Sequence, residues 1–384
     1  MDKKKRILIL GYLPPPLGGM ESMTKMIINS TYLNNKFDLL FLRLKTRKRS
    51  GKRGKFSLLN IAFTIYNLSR FTIILLVKKP RYVYCPIAQN RTGFLRDTLF
   101  IFISKILNKK IIVHFHGGAF DLFYKSQETY FKKYILFVLK KIDRLIVLGK
   151  TIKTQFASFM EQEKIEVIYN CIDVEKIDFE KNLNKKSDSL NMKVLFLGYI
   201  SKAKGAADLV KAASLVIKKS ENRPIFKLIG PIIEKEYNIT FINNPHGAYR
   251  EISETIKNEG LSNYIKLYTD VTEDFKIRSF FDSDIFTFPS YSEGFALVIL
   301  EAMAAGLPII MSRVGGLVDI LKEEENCLFI EPGDVVDLSN KIIFLSNNTA
   351  LRNRMRLNNI KLIKDFFSPE RFEKDLEAVL NKVN

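Results

Sequence analysis

The chain has 384 residues, 47% of them hydrophobic and with no polar tract, which is enough for two globular domains and excludes a disordered or fibrous protein. Its net charge of +20 is uneven: residues 1–170 hold 32 Lys and Arg against 10 Asp and Glu, and the rest is near balance at 29 against 31. Three scattered cysteines without metal or disulfide spacing, no apolar run expected to span a bilayer, and a short Ile7–Leu10 stretch that reads as a first strand rather than a leader together predict a reducing cytoplasm.

Strand Ile7–Leu10 opens into a turn from Gly11 to Glu21 that carries Gly18 and Gly19, followed by a helix through Met26 and Ile28. Glycines at a strand-to-helix junction let backbone approach a phosphate closely. A second strand, Phe37–Leu42, runs into Arg43–Lys55 with eight cations, then apolar Phe56–Val77, then Lys78, Lys79 and Arg81. A basic loop leading into an amphipathic helix has two readings. It is either a docking segment for an anionic membrane surface, residues 43–81, or a solvated loop in a Lys-rich protein. Nucleic acid is set aside as a partner, since no recognition motif accompanies the basic surface.

Tyr82–Cys85 is the next strand, then a helix over 94–107 and strand Ile111–Phe115, which ends in His114-Phe-His116-Gly-Gly. Strand ends of parallel sheets are where α/β proteins place ligands, so both histidines are candidates there. Arg144–Leu148 and Val167–Tyr169 are predicted as short strands, and the polar, Lys- and Asn-rich stretch after residue 178 as a linker. The expected division is a basic first domain over 1–180, a linker over 181–192, a second domain over 193–367, and a terminal amphipathic helix over 368–384 that begins near Phe366.

The second domain begins with strand Val194–Leu197, the loop Gly198-Tyr199-Ile-Ser-Lys202-Ala-Lys204-Gly205 and a helix through Leu215. Strands Phe226–Ile229 and Ile265–Tyr268 follow. Asp282 and Asp284 spell a DxD, but they precede a buried strand and read as structural. The densest signal is residues 284–321: strand Ile285–Phe288, a break at Pro289, a turn through Gly294, a helix to about Ala305, a stop at Gly306 and Pro308, and strand Ile309–Met311. Glu301 is the only charge between Phe295 and Arg313, and an acid on so apolar a helix is costly unless it faces a cleft or finds a donor. Glu293 lies eight residues earlier, so at about 1.5 Å per residue the two carboxylates are on the order of 10 Å apart. The N–H groups of the first turn, at Phe295, Ala296 and Leu297, make a seat for an anion between them.

Pro289, Ser290, Glu293, Gly294, Phe295 and Glu301, with the AMAAGLP run and Gly315-Gly316, resemble the E-x7-E signature of retaining GT-B glycosyltransferases of the group one, family-four type. The resemblance implies an α/β fold of two Rossmann-like domains facing across a cleft. It implies that Gly18 and Gly19 lie beside the donor diphosphate and acceptor, and that His116 contacts the donor sugar; His114 has no such counterpart and is expected to be structural. Lys204 matches a diphosphate-binding lysine, whereas Tyr199 stands where the family has Arg, so Lys202 or the Tyr199 hydroxyl is the candidate replacement. The backbone near Val271 is expected to read the base, Gly294 to Leu297 the diphosphate, and Glu301 the ribose, with Glu293 and His116 as the catalytic pair positioning the sugar. Asn170-Cys171-Ile172-Asp173 resembles the family's Asn-Gly-Val-Asp turn with Cys171 in place of glycine. The last helix is expected to pack on the first domain.

The expected activity is transfer of sugar from a UDP- or GDP-sugar to a glycan or lipid-linked glycan, in bacterial surface polysaccharide synthesis. No metal and no cofactor are expected, since the nucleotide-sugar is itself a substrate. The expected location is cytoplasmic, at the inner face of the cell membrane. Alternatives are an epimerase of the same architecture, which needs more acid–base groups, and a non-enzymatic basic membrane or nucleic-acid binder, which leaves Glu293 and Glu301 unexplained. A dinucleotide oxidoreductase is weaker, because G-x-G-x-x-G spacing is absent after the first strand.

Overall fold

The computed structural model describes residues 4–14, 18–45, 58–173, 192–233 and 248–383. Residues 181–191 of the expected 181–192 linker and basic residues 46–57 lie outside them. The chain divides into two compact units, Met1–Cys171 with Pro369–Asn384, and Ile172–Ser368.

The first unit contains β1 (Lys5–Gly11), α1 (Gly19–Asn29), α2 (Thr31–Lys36), β2 (Phe37–Arg43), α3 (Leu58–Val77), β3 (Tyr82–Pro86) and α4 (Arg91–Ile106). It continues through β4 (Lys110–Phe115), α5 (Phe120–Lys125), α6 (Thr129–Leu139), β5 (Arg144–Val147), α7 (Lys150–Thr154) and β6 (Ile165–Val167). All six strands are parallel, in the order β2-β1-β3-β4-β5-β6. β6 lies two residues earlier than Val167–Tyr169 predicts, because Ile165 is the residue that pairs with Leu145.

Helix α3 corrects the expectation about spanning length. Leu59–Val77 is 19 residues with mean hydropathy 1.4, long and apolar enough to cross a membrane by length and composition, because its Ser, Thr and Asn residues break an apolar run of letters without breaking the helix.

The second unit contains β7 (Lys193–Leu197), α8 (Ala206–Lys219), β8 (Ile225–Ile229), α9 (Ala248–Asn258), β9 (Ile265–Tyr268), α10 (Glu273–Phe281) and β10 (Ile285–Phe288). It continues with α11 (Leu297–Ala304), β11 (Ile309–Ser312), β12 (Cys327–Ile330), α12 (Val335–Asn347) and α13 (Thr349–Phe366). The sheet is again parallel, in the order β12-β11-β10-β7-β8-β9. β10 and β11 are buried at every residue, which is why they read as unbroken apolar runs rather than alternations.

The last helix, α14 (Pro369–Lys382), starts three residues later than Phe366 because Phe366 closes α13 and Pro369 takes the first helical position. Its Phe372, Leu376 and Val379 share one core with Ile7, Ile9, Ile27 and Tyr84 of the first unit.

Candidate functional site

In each sheet the strand order reverses once, and open parallel sheets bind ligands outside the carboxyl ends of the strands at that point. In the second unit the reversal falls between β7 and β10. The two loops that leave these strands are Gly198–Gly205 and Pro289–Ala296, the two segments the sequence singles out.

Three contacts lash those loops together. Tyr291 donates its backbone N–H to the Ala203 carbonyl at 2.9 Å, Ser290 Oγ lies 3.1 Å from the same carbonyl, and Gly205 sits beneath Pro289. A Cβ on Gly205, whose φ is +69°, falls 2.0 Å from the Pro289 carbonyl oxygen, so only glycine lets the loops meet. On the other side the Gly316 N–H donates to the Gly294 carbonyl at 2.8 Å, and a Cβ on Gly315 (φ +78°) would lie 2.7 Å from the Glu293 carbonyl oxygen. The Gly-Gly pair therefore lets the β11 loop close on the Glu293 loop.

Glu293 is fixed from two directions. Its carboxylate is ion-paired to Lys204 Nζ and accepts from Ser290 Oγ at 2.7 Å. The loop is thus built so that a cation and an acid from opposite sides of the switch point meet. Lys202 goes elsewhere: its Nζ is 2.9 Å from Glu251 Oε2 on α9, which Lys211 also holds at 2.7 Å. Tyr199 is half-buried beside Gly198. The structure therefore brings Lys204 to Glu293 but directs Lys202 toward α9. Burial and a hydrogen bond to Asp208 push the Tyr291 hydroxyl up to about 12, so it remains a neutral prop for the loop.

Glu301 finds the donor that the apolar helix demands. Lys276 Nζ, from α10, lies 3.0 Å from its carboxylate. Burial raises the Glu301 pKa while the Lys276 charge opposes it. For Lys276, burial works to lower the pKa and Glu301 outweighs it, so the ammonium is favoured. Nothing in the spacing marks Lys276, which reaches Glu301 from α10, 25 residues earlier in the chain. α10 follows directly on the loop that holds Val271, which is half-buried after β9.

The helix start differs from the expected one. Phe295 and Ala296 precede α11, which begins at Leu297, because Phe295 is held in the core against Phe367 with ring centroids 6.0 Å apart. Ala296 occupies the N-cap and offers no side-chain acceptor to the first-turn N–H groups; that of Ile299 bonds the Ala296 carbonyl at 3.0 Å. Asp282 is paired to Lys193 and Lys227, each at 2.5 Å, and Asp284 accepts from the Lys193 N–H at 2.8 Å, so both acids serve the strand entry.

In the first unit, Gly18 caps α1 in an extended conformation and Gly19 is its first residue. A Cβ on Gly18 falls 2.4 Å from Glu21 Oε2, so the buried Glu21 side chain fills the turn. His114 is fully buried with its Nδ1 hydrogen-bonded to Tyr84 OH, and its ring lies 4.0 Å from that of His116. Burial lowers the His116 pKa to about 4, so the ring is neutral at physiological pH and offers hydrogen bonds rather than charge.

A family model described as glycosyl transferases group 1 matches residues 173–362, which holds every second-unit candidate named above. The "uncharacterized glycosyltransferase MJ1178" of Methanocaldococcus jannaschii is 31% identical over 270 residues, 69% of this chain and 67% of that protein. The chain belongs to the group 1 glycosyl transferases. The Staphylococcus aureus "capsular polysaccharide biosynthesis glycosyltransferase CapM" is 25% identical over 271 residues, 65% of this chain. The chain spans 66% of CapM's own length. Among solved structures, Anabaena Alr3699/HepE in complex with UDP and glucose superposes with a TM-score of 0.69 at 16% identity, over 98% of this chain and 100% of that one. The fold of this group 1 chain is accordingly the two-unit GT-B architecture.

Proposed function

We propose that the protein is a retaining glycosyltransferase that moves a sugar from a nucleotide-sugar, UDP- or GDP-linked, to a glycan or lipid-linked glycan in bacterial surface polysaccharide synthesis. One observation carries the reading: at the β7/β10 switch point the Lys204–Glu293 pair, the N-terminus of α11 and the Glu301–Lys276 pair follow one another along one unit. In sequence these match sugar hydroxyls, diphosphate and ribose. Lys204 and the α11 N–H groups neutralise the charge that develops on the leaving diphosphate, and Glu293 orients the sugar through its hydroxyls. A diphosphate is already a good leaving group, so positioning and charge stabilisation suffice and no metal is invoked. Val271 backbone reads the base, and His116 of the first unit, neutral, has a hydrogen bond to offer a sugar hydroxyl. Tyr199 presents a hydroxyl where a second cation would otherwise hold the diphosphate. The name of CapM supports a polysaccharide setting, and HepE's complex with UDP and glucose supports a UDP-sugar donor. The protein works on the cytoplasmic side of the cell membrane, where the strongly basic residues 43–81 meet anionic lipid.

Hydrolysis of a panel of UDP-, GDP- and ADP-sugars tests the assignment, with the anomer released read by NMR. One UDP- or GDP-sugar is expected to turn over with retained configuration, and Lys204→Ala to slow it ~10²-fold. Inversion, or no turnover of any member, contradicts it.

A further inference from the structure

The crossovers β2→β3, β3→β4 and β4→β5 step the same way across the first sheet, and β1→β2 steps the other way. Right-handed connection therefore places α3, α4, α5 and α6 on one face and α1 and α2 on the other. Among the described residues, the large apolar side chains left exposed follow that division. Nineteen are exposed in all, thirteen lie in the first unit, and every one of the thirteen is on α3 to α6.

Only a narrow stripe of α3 is fully buried: Asn67, Phe71 and Leu75, four residues apart, with Phe71 edge-on to Phe100 of α4 at 5.1 Å. Asn67 also bonds both the N–H and the carbonyl of Lys45, at 3.1 and 2.9 Å. The helix is thus fastened along the unit's surface, an interfacial rather than a spanning placement. On the rest of its circumference Leu59, Ile61, Ile65, Tyr66, Ile73, Leu76 and Val77 are exposed, Ile65 and Ile73 about 60%. A contiguous apolar face of this kind marks an interaction site.

The same face ends in a basic cleft. At the carboxyl ends of α4 and α6, Lys105, Lys110, Lys140, Lys141, Arg144 and Lys382 line a space of 520 Å³ whose lone lining carboxylate is Asp143. Lys105 is spent on Asp143 at 2.5 Å and Lys382 on Glu166 at 2.9 Å. Lys110, Lys140 and Lys141 have no carboxylate partner among the described residues. Ile106, 77% exposed, and Phe137, with Lys141 Nζ 5.0 Å from its ring centroid, stand between cleft and apolar face.

We propose that the α3–α6 face is a bilayer-docking surface and that the Lys110/Lys140/Lys141 cleft receives the phosphate of an anionic phospholipid. Apolar side chains beside unpaired lysines match the two layers of an anionic membrane interface, acyl chain and headgroup, and a free anion would leave the apolar half unused. The surface extends well beyond residues 43–81 and holds whether or not the chain transfers sugar.

Vesicle co-flotation of the full chain, with phosphatidylcholine alone and with phosphatidylcholine mixed with phosphatidylglycerol, tests it. The parent is expected to float with the anionic vesicles. K110E/K140E/K141E together should weaken that binding ~100-fold or more, at ~10-fold or less per lysine neutralised. Ile106→Ser with Phe137→Ser should weaken binding without removing the preference for anionic lipid. Unchanged melting temperatures establish that both variants are folded. Equal binding to both vesicle types, binding unchanged in the triple variant, or an oligomer in sedimentation that Ile106→Ser with Phe137→Ser dissociates would each overturn the proposal.

Discussion

Lys276 shows what a side chain can do that no motif announces. It holds Glu301, an acid whose burial raises its pKa, at 3.0 Å. Lys276→Met leaves that acid without its cation, and with Glu301 only partly screened from solvent the expected loss is ~1–2 kcal/mol, read from a urea midpoint. Adding Glu301→Gln should recover most of the stability. A double variant no more stable than Lys276→Met would show that the pair is not coupled. The histidines supply a pH signature. Burial holds His116 near 4 and lowers His114 well below the ordinary 6.5 too, so the unfolded chain binds more protons than the folded one as pH falls below 6.5. Stability from this source is complete above about pH 6.5 and is lost as pH falls toward 4, with a slope up to ~1.4 kcal/mol per unit for each ring. Urea titrations across pH 4–7 should show the decline, and His116→Asn should reduce its slope. The same slope in the variant would show that His116 does not contribute to the decline.

At the scale of elements, Gly205 is the position where two loops are one structure. Gly205→Ala sets a methyl 2.0 Å from the Pro289 carbonyl in a left-handed conformation, and the expected cost is ~2 kcal/mol or more. Thermal melts measure it; a change below ~0.5 kcal/mol would mean the loops separate freely. Phe372→Ala on α14 should cost ~3–5 kcal/mol, because its ring is buried in the first unit's core. Where the chain punctuates itself the elements were legible: Gly306 and Pro308 close α11, and the all-apolar β10 and β11 read as buried strands. Where tertiary contacts decide, they were not. Phe295 looks like a first helical residue until its ring is placed against Phe367, and Phe366 looks like the start of the last helix until Pro369 is seen to begin it. Lys202 and Lys204 are indistinguishable as letters. Their separation, one toward Glu251 and one toward Glu293, follows from how α9 packs.

At the scale of the whole molecule, the two units divide the chemistry. The second carries the family match and the acids, with near-balanced charge. The first carries all of the positive excess and the exposed apolar helices. That asymmetry was legible as a charge count, but the apolar face was not, since its residues are scattered over four helices that only the sheet topology gathers. Glu301, at the second helical turn beyond the β7/β10 switch point, is the residue proposed to grip the ribose of an activated sugar. Calorimetric titration of the parent and of Glu301→Ala with the nucleotide of the sugar donor that turns over tests it most directly. Measurable binding by the parent and an affinity ~100-fold lower in the variant are expected, with the variant still melting cooperatively. Equal affinities in the two proteins would contradict it.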